Sequence, residues 1–238
     1  RRDVVRHFLN GAFGVTGALA DPKLELYNST NAKISENDDW AGNAQVSSIG
    51  GQVGAFAYSG NTSKDAALYN QTFASGTYSV WITGATGGTG VALAEIYDAT
   101  PGASYTASTP RLTNVSARTQ VGTGGDILIA GFSLSGQTSK TVLIRAIGPT
   151  LGAFGVPGAL VNPKLELFSG TTLINANDDW GGAAATASAF FSVGAFALPT
   201  NSRDAVLLVT LAPGSYTAQV SGVGDTTGVA LVEVYEIP

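Results

Sequence analysis

Cysteine and methionine are both absent from the 238 residues. Disulfides, thiolate metal sites and thiol nucleophiles are therefore excluded, and the side chains most easily oxidised are missing. That profile suits a long-lived protein outside the cell, although many cytosolic domains also lack cysteine. Charge is scarce too: 12 Lys or Arg against 17 Asp or Glu give a formal net charge of −5 and a pI near 4.7. No basic run occurs, so the electrostatic footprint of a nucleic-acid binder is missing. His7 is the one histidine and sits in the divergent N-terminal segment, so neither a His-based triad nor a zinc site built on several imidazoles is expected; it reads as an ordinary edge residue. No apolar run approaches the roughly 18 residues a membrane helix needs, so no membrane span is expected. Arg1-Arg2-Asp3 lacks the apolar run of a signal peptide, so if the protein is exported this is its mature form.

What is present is apolar and small. Hydrophobic residues make up 44% of the chain, enough for a buried core, which argues against disorder. The 31 glycines, with clusters such as Gly87-Gly88-Thr89-Gly90, point to short strands joined by tight turns.

The sequence is duplicated. Residues 11–27 (GAFGVTGALADPKLELY) match 152–168 (GAFGVPGALVNPKLELF) at an offset of 141, and NDDW at 37–40 recurs at 177–180. VGAFA at 53–57 recurs at 193–197, KDAAL at 64–68 matches RDAVL at 203–207, and 88–97 matches 226–235 at an offset of 138. A drift of three residues over the whole copy means single-residue loop changes.

Each copy reads as strands. Residues 164–168 and 215–220 alternate apolar and polar with period two, as when one face packs on a core. Residues 204–211 and 228–235 are more continuously apolar, as expected of central strands. Strands at this spacing, broken by Gly, Pro, Asn and Asp, indicate an all-β chain of two tandem, jelly-roll-like β-sandwich domains. The expected boundaries are 1–97 for the first copy, 98–110 for a Pro/Gly/Ser/Thr-rich linker and 111–238 for the second. Only the Ala-rich stretch 181–191 suggests a helical turn.

The copies are unequal. Residues 111–133 hold two strand-like segments, around 112–118 and 127–132, with no counterpart in copy one. The first sandwich is thus expected to lack about two N-terminal strands, leaving unpaired edges and an exposed apolar groove. Another subunit filling it by strand addition would propagate head to tail as a homopolymer. Two alternatives stand: a fragment of a longer array, or 111–133 folding back onto copy one. The expected subunit interface is Val4, Val5, Leu112, Val115, Ile127 and Ile129.

The run VLIRAIGPTLGAFGV (142–156), with DPKLELY or NPKLELF, NDDW and PGSYTAQVSG, resembles a repeat of large secreted and autotransporter-type surface proteins of environmental bacteria, over nearly the whole chain. The order LELY, NDDW, GTY and closing strand resembles, more distantly, the bacterial pre-peptidase C-terminal domain, a small β-sandwich appended to secreted enzymes. Both resemblances imply export and a non-catalytic accessory or structural role. Copy one departs where RAIGP should stand, reading Arg6-His7-Phe8-Leu9-Asn10.

Four groups of residues bear on chemistry. Asp38, Asp39, Asp178 and Asp179 offer hard oxygen ligands of the kind Ca²⁺ prefers, without a full EF-hand loop; alternatively Asn37 and Asn177 tie a turn that Trp40 and Trp180 anchor. Glu95 and Glu233 would join them in a glycosidase reading, but identical neighbours in both copies fit scaffold better, and Glu25 and Glu166 read as solvent-facing strand positions. The Gly-rich runs at 87–90 and 122–125 stand between strands, not before helices, which disfavours a phosphate cradle. Asn28, Asn61, Asn70 and Asn114 open N-glycan acceptor triplets. The leading expectation is a structural subunit of an extracellular bacterial fibre or surface layer, without cofactor unless calcium binds, possessing glycan sites, and not an enzyme. An adhesin or carbohydrate-binding module is the alternative, and it requires Trp40, Trp81 and Trp180 to be exposed.

Overall fold

A computed structural model describes residues 3–8, 16–70, 73–106 and 108–238, with side chains described from Thr16 onward except at Asn70. The chain divides into two compact units, Arg1–Leu112 and Thr113–Pro238. Residues 98–110, expected as the linker, belong to the first unit. There Asp98 accepts from the Thr100 N–H at 3.0 Å and from the Tyr105 hydroxyl, around a 3-10 turn at Gly102–Ser104.

The first unit contains β1 (Asp3–Phe8), β2 (Pro22–Asn28), β3 (Lys33–Asn37), α1 (Ala44–Gln52), β4 (Ala67–Asn70), β5 (Tyr78–Gly84) and β6 (Leu93–Asp98). Its strands form two three-stranded antiparallel sheets, β4-β1-β6 and β3-β2-β5. The second contains β7 (Asn114–Val121), β8 (Leu128–Leu134), β9 (Lys140–Ile147), β10 (Pro163–Ser169), β11 (Thr172–Asn177), α2 (Ala184–Ser192), β12 (Ala205–Leu211), β13 (Gly214–Gly222) and β14 (Gly228–Glu236). These strands form two four-stranded antiparallel sheets, β12-β9-β14-β7 and β11-β10-β13-β8. That is the strand order of an eight-stranded jelly roll, whose first two strands close against its last two. The all-β sandwich expectation is borne out.

β1 to β6 repeat β9 to β14 in order and pairing. Among the described residues, nothing in the first unit corresponds to β7 and β8. β7 pairs with β14 and β8 with β13, so among the described residues the equivalents β5 and β6 each keep one partner, β2 and β1 respectively. The shortfall therefore lies on the last two strands of the unit, not on its leading strand. β1 is central, with Val4 opposite Tyr69 and Tyr97 and Val5 opposite Leu68 and Ile96. The segment 111–133 does not fold back onto copy one: it supplies β7 and β8 to the second unit.

The alternating strands bury as their pattern dictates. Pro22, Leu24 and Leu26 of β2, and Pro163, Leu165 and Leu167 of β10, point inward. β12, expected as central, is an edge strand. Its apolar run has another cause: the sheet is covered on both faces. Val142, Ile144, Ala146, Leu207, Ala230 and Val232 face the sandwich interior, while Leu143, Ile147 and Val206 pack beneath Trp180, Phe190 and Leu198 around α2. Two-sided burial removes alternation. α2 falls where the Ala-rich stretch suggested. α1 was not anticipated; its signal was Asn43, whose side chain accepts from the Gln45 and Val46 N–H groups as an N-cap.

Candidate functional site

NDDW is a corner brace in both units. Asn177 donates to the Asp179 carbonyl and accepts from the Val206 N–H, both at 2.8 Å, and Asn37 makes the same pair to Asp39 and Ala67 at the same distances. Trp180 and Trp40 donate their indole N–H to the carbonyls of Pro199 and Gly60. The next two residues, Ala41-Gly42 and Gly181-Gly182, all take left-handed backbone, with Ala41 at φ 51°. Asp204, fully buried, completes the corner: it accepts from the Gly148 N–H at 2.7 Å and from the hydroxyls of Thr150 and Ser202. The asparagines are thus consumed by backbone. Asp39 pairs with Lys64 at 2.9 Å, which raises the Lys64 pKa through that hydrogen bond, while Asp38, Asp178 and Asp179 are exposed. Among the described residues, no three His, Asp or Glu side chains converge to hold a metal.

A buried ion pair that the sequence reading missed lies on the same α2-covered face of the sheet, its guanidinium 4.9 Å from the centre of the Phe190 ring that packs on Trp180. Arg145, fully buried, donates Nε to Glu233 Oε2 at 2.8 Å and Nη1 to the Phe196 carbonyl at 2.6 Å, and lies over the Phe196 ring at 4.3 Å. Tyr235 donates to Glu233 Oε1 at 2.7 Å; burial, and then this bond, raise its pKa. Both carboxylate oxygens of Glu233 are thereby occupied. In the first unit Tyr97 donates to Glu95 at 2.8 Å, and Arg6 stands opposite Glu95 in the register, as Arg145 does opposite Glu233. The missed signal was Arg in RAIGP pairing across strands with Glu in VEVY.

The outer face of β3-β2-β5 carries alternating charges. Lys33 bridges Glu25 at 3.0 Å and Glu36 at 2.6 Å, and Lys23 contacts the same two. Hydrogen bonds, from Lys33 first, lower the Glu36 pKa to about 2, and the bonds to Glu36 raise that of Lys33. Beside this quartet Trp81 is 58% exposed, its ring 5.0 Å from that of Tyr27. Trp40 and Trp180 are buried, so the three-tryptophan platform required by the adhesin reading does not exist.

The two units differ most at β5 and β6. In the second unit Ala230 is 0% and Val232 1% exposed, sealed with Ala218 and Val220 by Val121 and Leu128 and by the partly buried Ala130, Phe132 and Leu134. Their counterparts 138 residues earlier are open: Ala92, Ala94 and Ile96 are exposed, and Val80 and Ile82 are only half-buried. The side chains of β8, with Val121, provide the cover. β7 contributes mainly backbone pairing, since all its other residues are exposed.

The remaining expected residues are scattered. Asn28 Oδ1 accepts from the N–H groups of Thr30 and Ala32 at the β2–β3 turn, Asn61 is exposed and lies against Gly42, and Asn114 on β7 donates to the Val234 carbonyl. The side chains of Asn70, Val4, Val5 and His7 lie outside the described residues. Val115 and Ile129 are exposed on the edge strands β7 and β8, and Leu112 and Ile127 are half-buried.

No family model matches the chain, and no curated protein matches it. Among solved structures, the pre-peptidase C-terminal domain of a collagenase from Bacillus anthracis is similar over 51% of this chain and 89% of that one, at 13% identity and a TM-score of 0.32.

Proposed function

We propose that this chain is a non-catalytic structural subunit of an extracellular fibre or surface layer, joined head to tail by strand addition at the β5 and β6 edges of its first unit. One observation carries this reading: the inner-face positions sealed in the second unit are exposed on β6 and half-buried on β5 in the first. Open strand edges above an apolar face recruit further strands. A contact between such an edge and a different surface of the next molecule is heterologous, so it propagates. The non-catalytic part is supported by the engagement of Glu233 with Arg145 and Tyr235, and by a pocket beside Trp180 lined with Phe, Leu and Ala alone. Absence of Cys and Met, and the triplets at Asn28, Asn61 and Asn114, suit an exported, glycan-bearing protein.

Sedimentation velocity and negative-stain microscopy over a concentration series test the reading. Growing assemblies that Ala94→Asp abolishes are expected; a monomer at every concentration overturns it. The adhesin reading retains one favourable feature, exposed Trp81 beside Tyr27. An oligosaccharide that shifts Trp81 emission without altering sedimentation would favour it.

A further inference from the structure

We propose that the first unit is an acceptor for a β7–β8-type strand pair belonging to a further copy of this repeat, in the register that β7 and β8 keep in the second unit. This rests on the strand-addition reading above and specifies what is added. The second unit is the template: it is the same fold with the position filled, so it shows which side chains cover which.

Stoichiometry decides against simple exchange. Among the described residues there are two places for a β7–β8 pair and one pair, which the second unit already holds over eight register positions with β14 and seven with β13. Passing that pair to a neighbour closes one sandwich and opens another, so nothing is gained by exchange. A filled first unit therefore needs a pair from outside these residues, and self-association of the chain alone must run edge to edge.

The register follows by subtracting the 138-residue offset. In the second unit Leu128 stands opposite Val220, Ala130 opposite Ala218 and Phe132 opposite Tyr216, the last two rings stacked at 5.7 Å. The incoming strand thus sets Leu128 against Ile82, Ala130 against Val80 and Phe132 against Tyr78. On the other sheet, Ala117 falls opposite Ala94 and Val115 opposite Ile96, as they oppose Val232 and Val234. Compatibility extends to the outer face. Ile129, opposite Gln219 and 54% exposed, would stand opposite Trp81, 58% exposed. Each is an exposed apolar side chain on its own unit, and together they would form a cross-strand pair. A one-residue slip would turn Leu128, Ala130 and Phe132 outward, so Trp81 reports the register.

The test titrates a synthetic peptide of residues 113–134 into the full 238-residue chain, following tryptophan emission, iodide quenching and sedimentation. Expected are saturable one-to-one binding, a blue shift with loss of quenching of the exposed tryptophan, and dispersal of any chain assemblies to capped monomers. A Leu128→Asp peptide should not bind, and an Ile129→Ala peptide should bind with a weaker emission shift. The Ala94→Asp chain should not bind although its unmixed fold is unchanged by circular dichroism. No binding, binding retained by the Ala94→Asp chain, or an Ile129→Ala peptide giving the full shift each overturn the proposal. If the chain assembles yet ignores the peptide, the occupant is wrong while strand addition stands; if a monomeric chain binds it, self-assembly falls and the acceptor stands.

Discussion

Aspartate at one inner-face position should have opposite consequences in the two units. Ala92 and Ala230 occupy the same place in the repeat, 138 residues apart, and differ in exposure: Ala230 is at 0% and Ala92 is exposed. Ala230→Asp puts a carboxylate among Val121, Val220 and Val232 with no cation within that cluster. An uncompensated buried charge costs about 3–5 kcal/mol. For a unit of this size each kcal/mol moves the melting temperature by about 3–5 °C, so a fall of roughly 10–20 °C is expected. Ala92→Asp meets water and should cost no more than about 0.5 kcal/mol, or roughly 2 °C. Scanning calorimetry of the two variants at low protein concentration makes the comparison. If Ala92→Asp lowers the melting temperature as much as Ala230→Asp, the first unit's inner face is already covered and the reasoning fails.

Three further outcomes follow from the braces described above. Glu233→Ala leaves Arg145 buried and unpaired and should cost about 3–5 kcal/mol in chemical denaturation, whereas Arg145→Met with Glu233→Leu should cost much less; equal losses would contradict this. Ala41→Gly relieves a left-handed alanine where the second copy has Gly181, and should stabilise the chain by roughly 1 kcal/mol; a loss of stability would refute the strain. The folded pKa of Glu36 is depressed to about 2 from 4.5, so its contribution is present above the unfolded value and is lost as pH falls from 4.5 toward 2. It is small because the group is exposed. A carboxyl NMR titration should place the midpoint near 2, and a midpoint near 4.5 would remove the quartet's role.

Much of the fold was legible because the chain states it twice. Alternation in 164–168 located β10, and the unmatched segment 111–133 located β7 and β8. Which edges stay bare was not legible, because a jelly roll pairs its first strands with its last: the missing pair exposes β5 and β6, far along the sequence, and leaves β1 central. The rank of β12 was misread because α2 and Trp180 cover its outer face, and two-sided burial looks alike on edge and centre. NDDW pointed to a corner through Asn and Trp chemistry while its acidic residues suggested calcium; the structure adds which backbone groups Asn37 and Asn177 bind. The Arg145–Glu233 pair is hard to read from sequence because its members stand 88 residues apart and meet only once β9 and β14 are known to be neighbours.

Hydrogen–deuterium exchange of the 238-residue chain at low concentration, with and without the peptide of residues 113–134, tests the open edge most directly. The outward amides of β5 and β6 should exchange rapidly while those at the matching positions of β13 and β14 stay protected, and the peptide should slow the former to the rate of the latter. Equal protection of the two pairs before any peptide is added would contradict it.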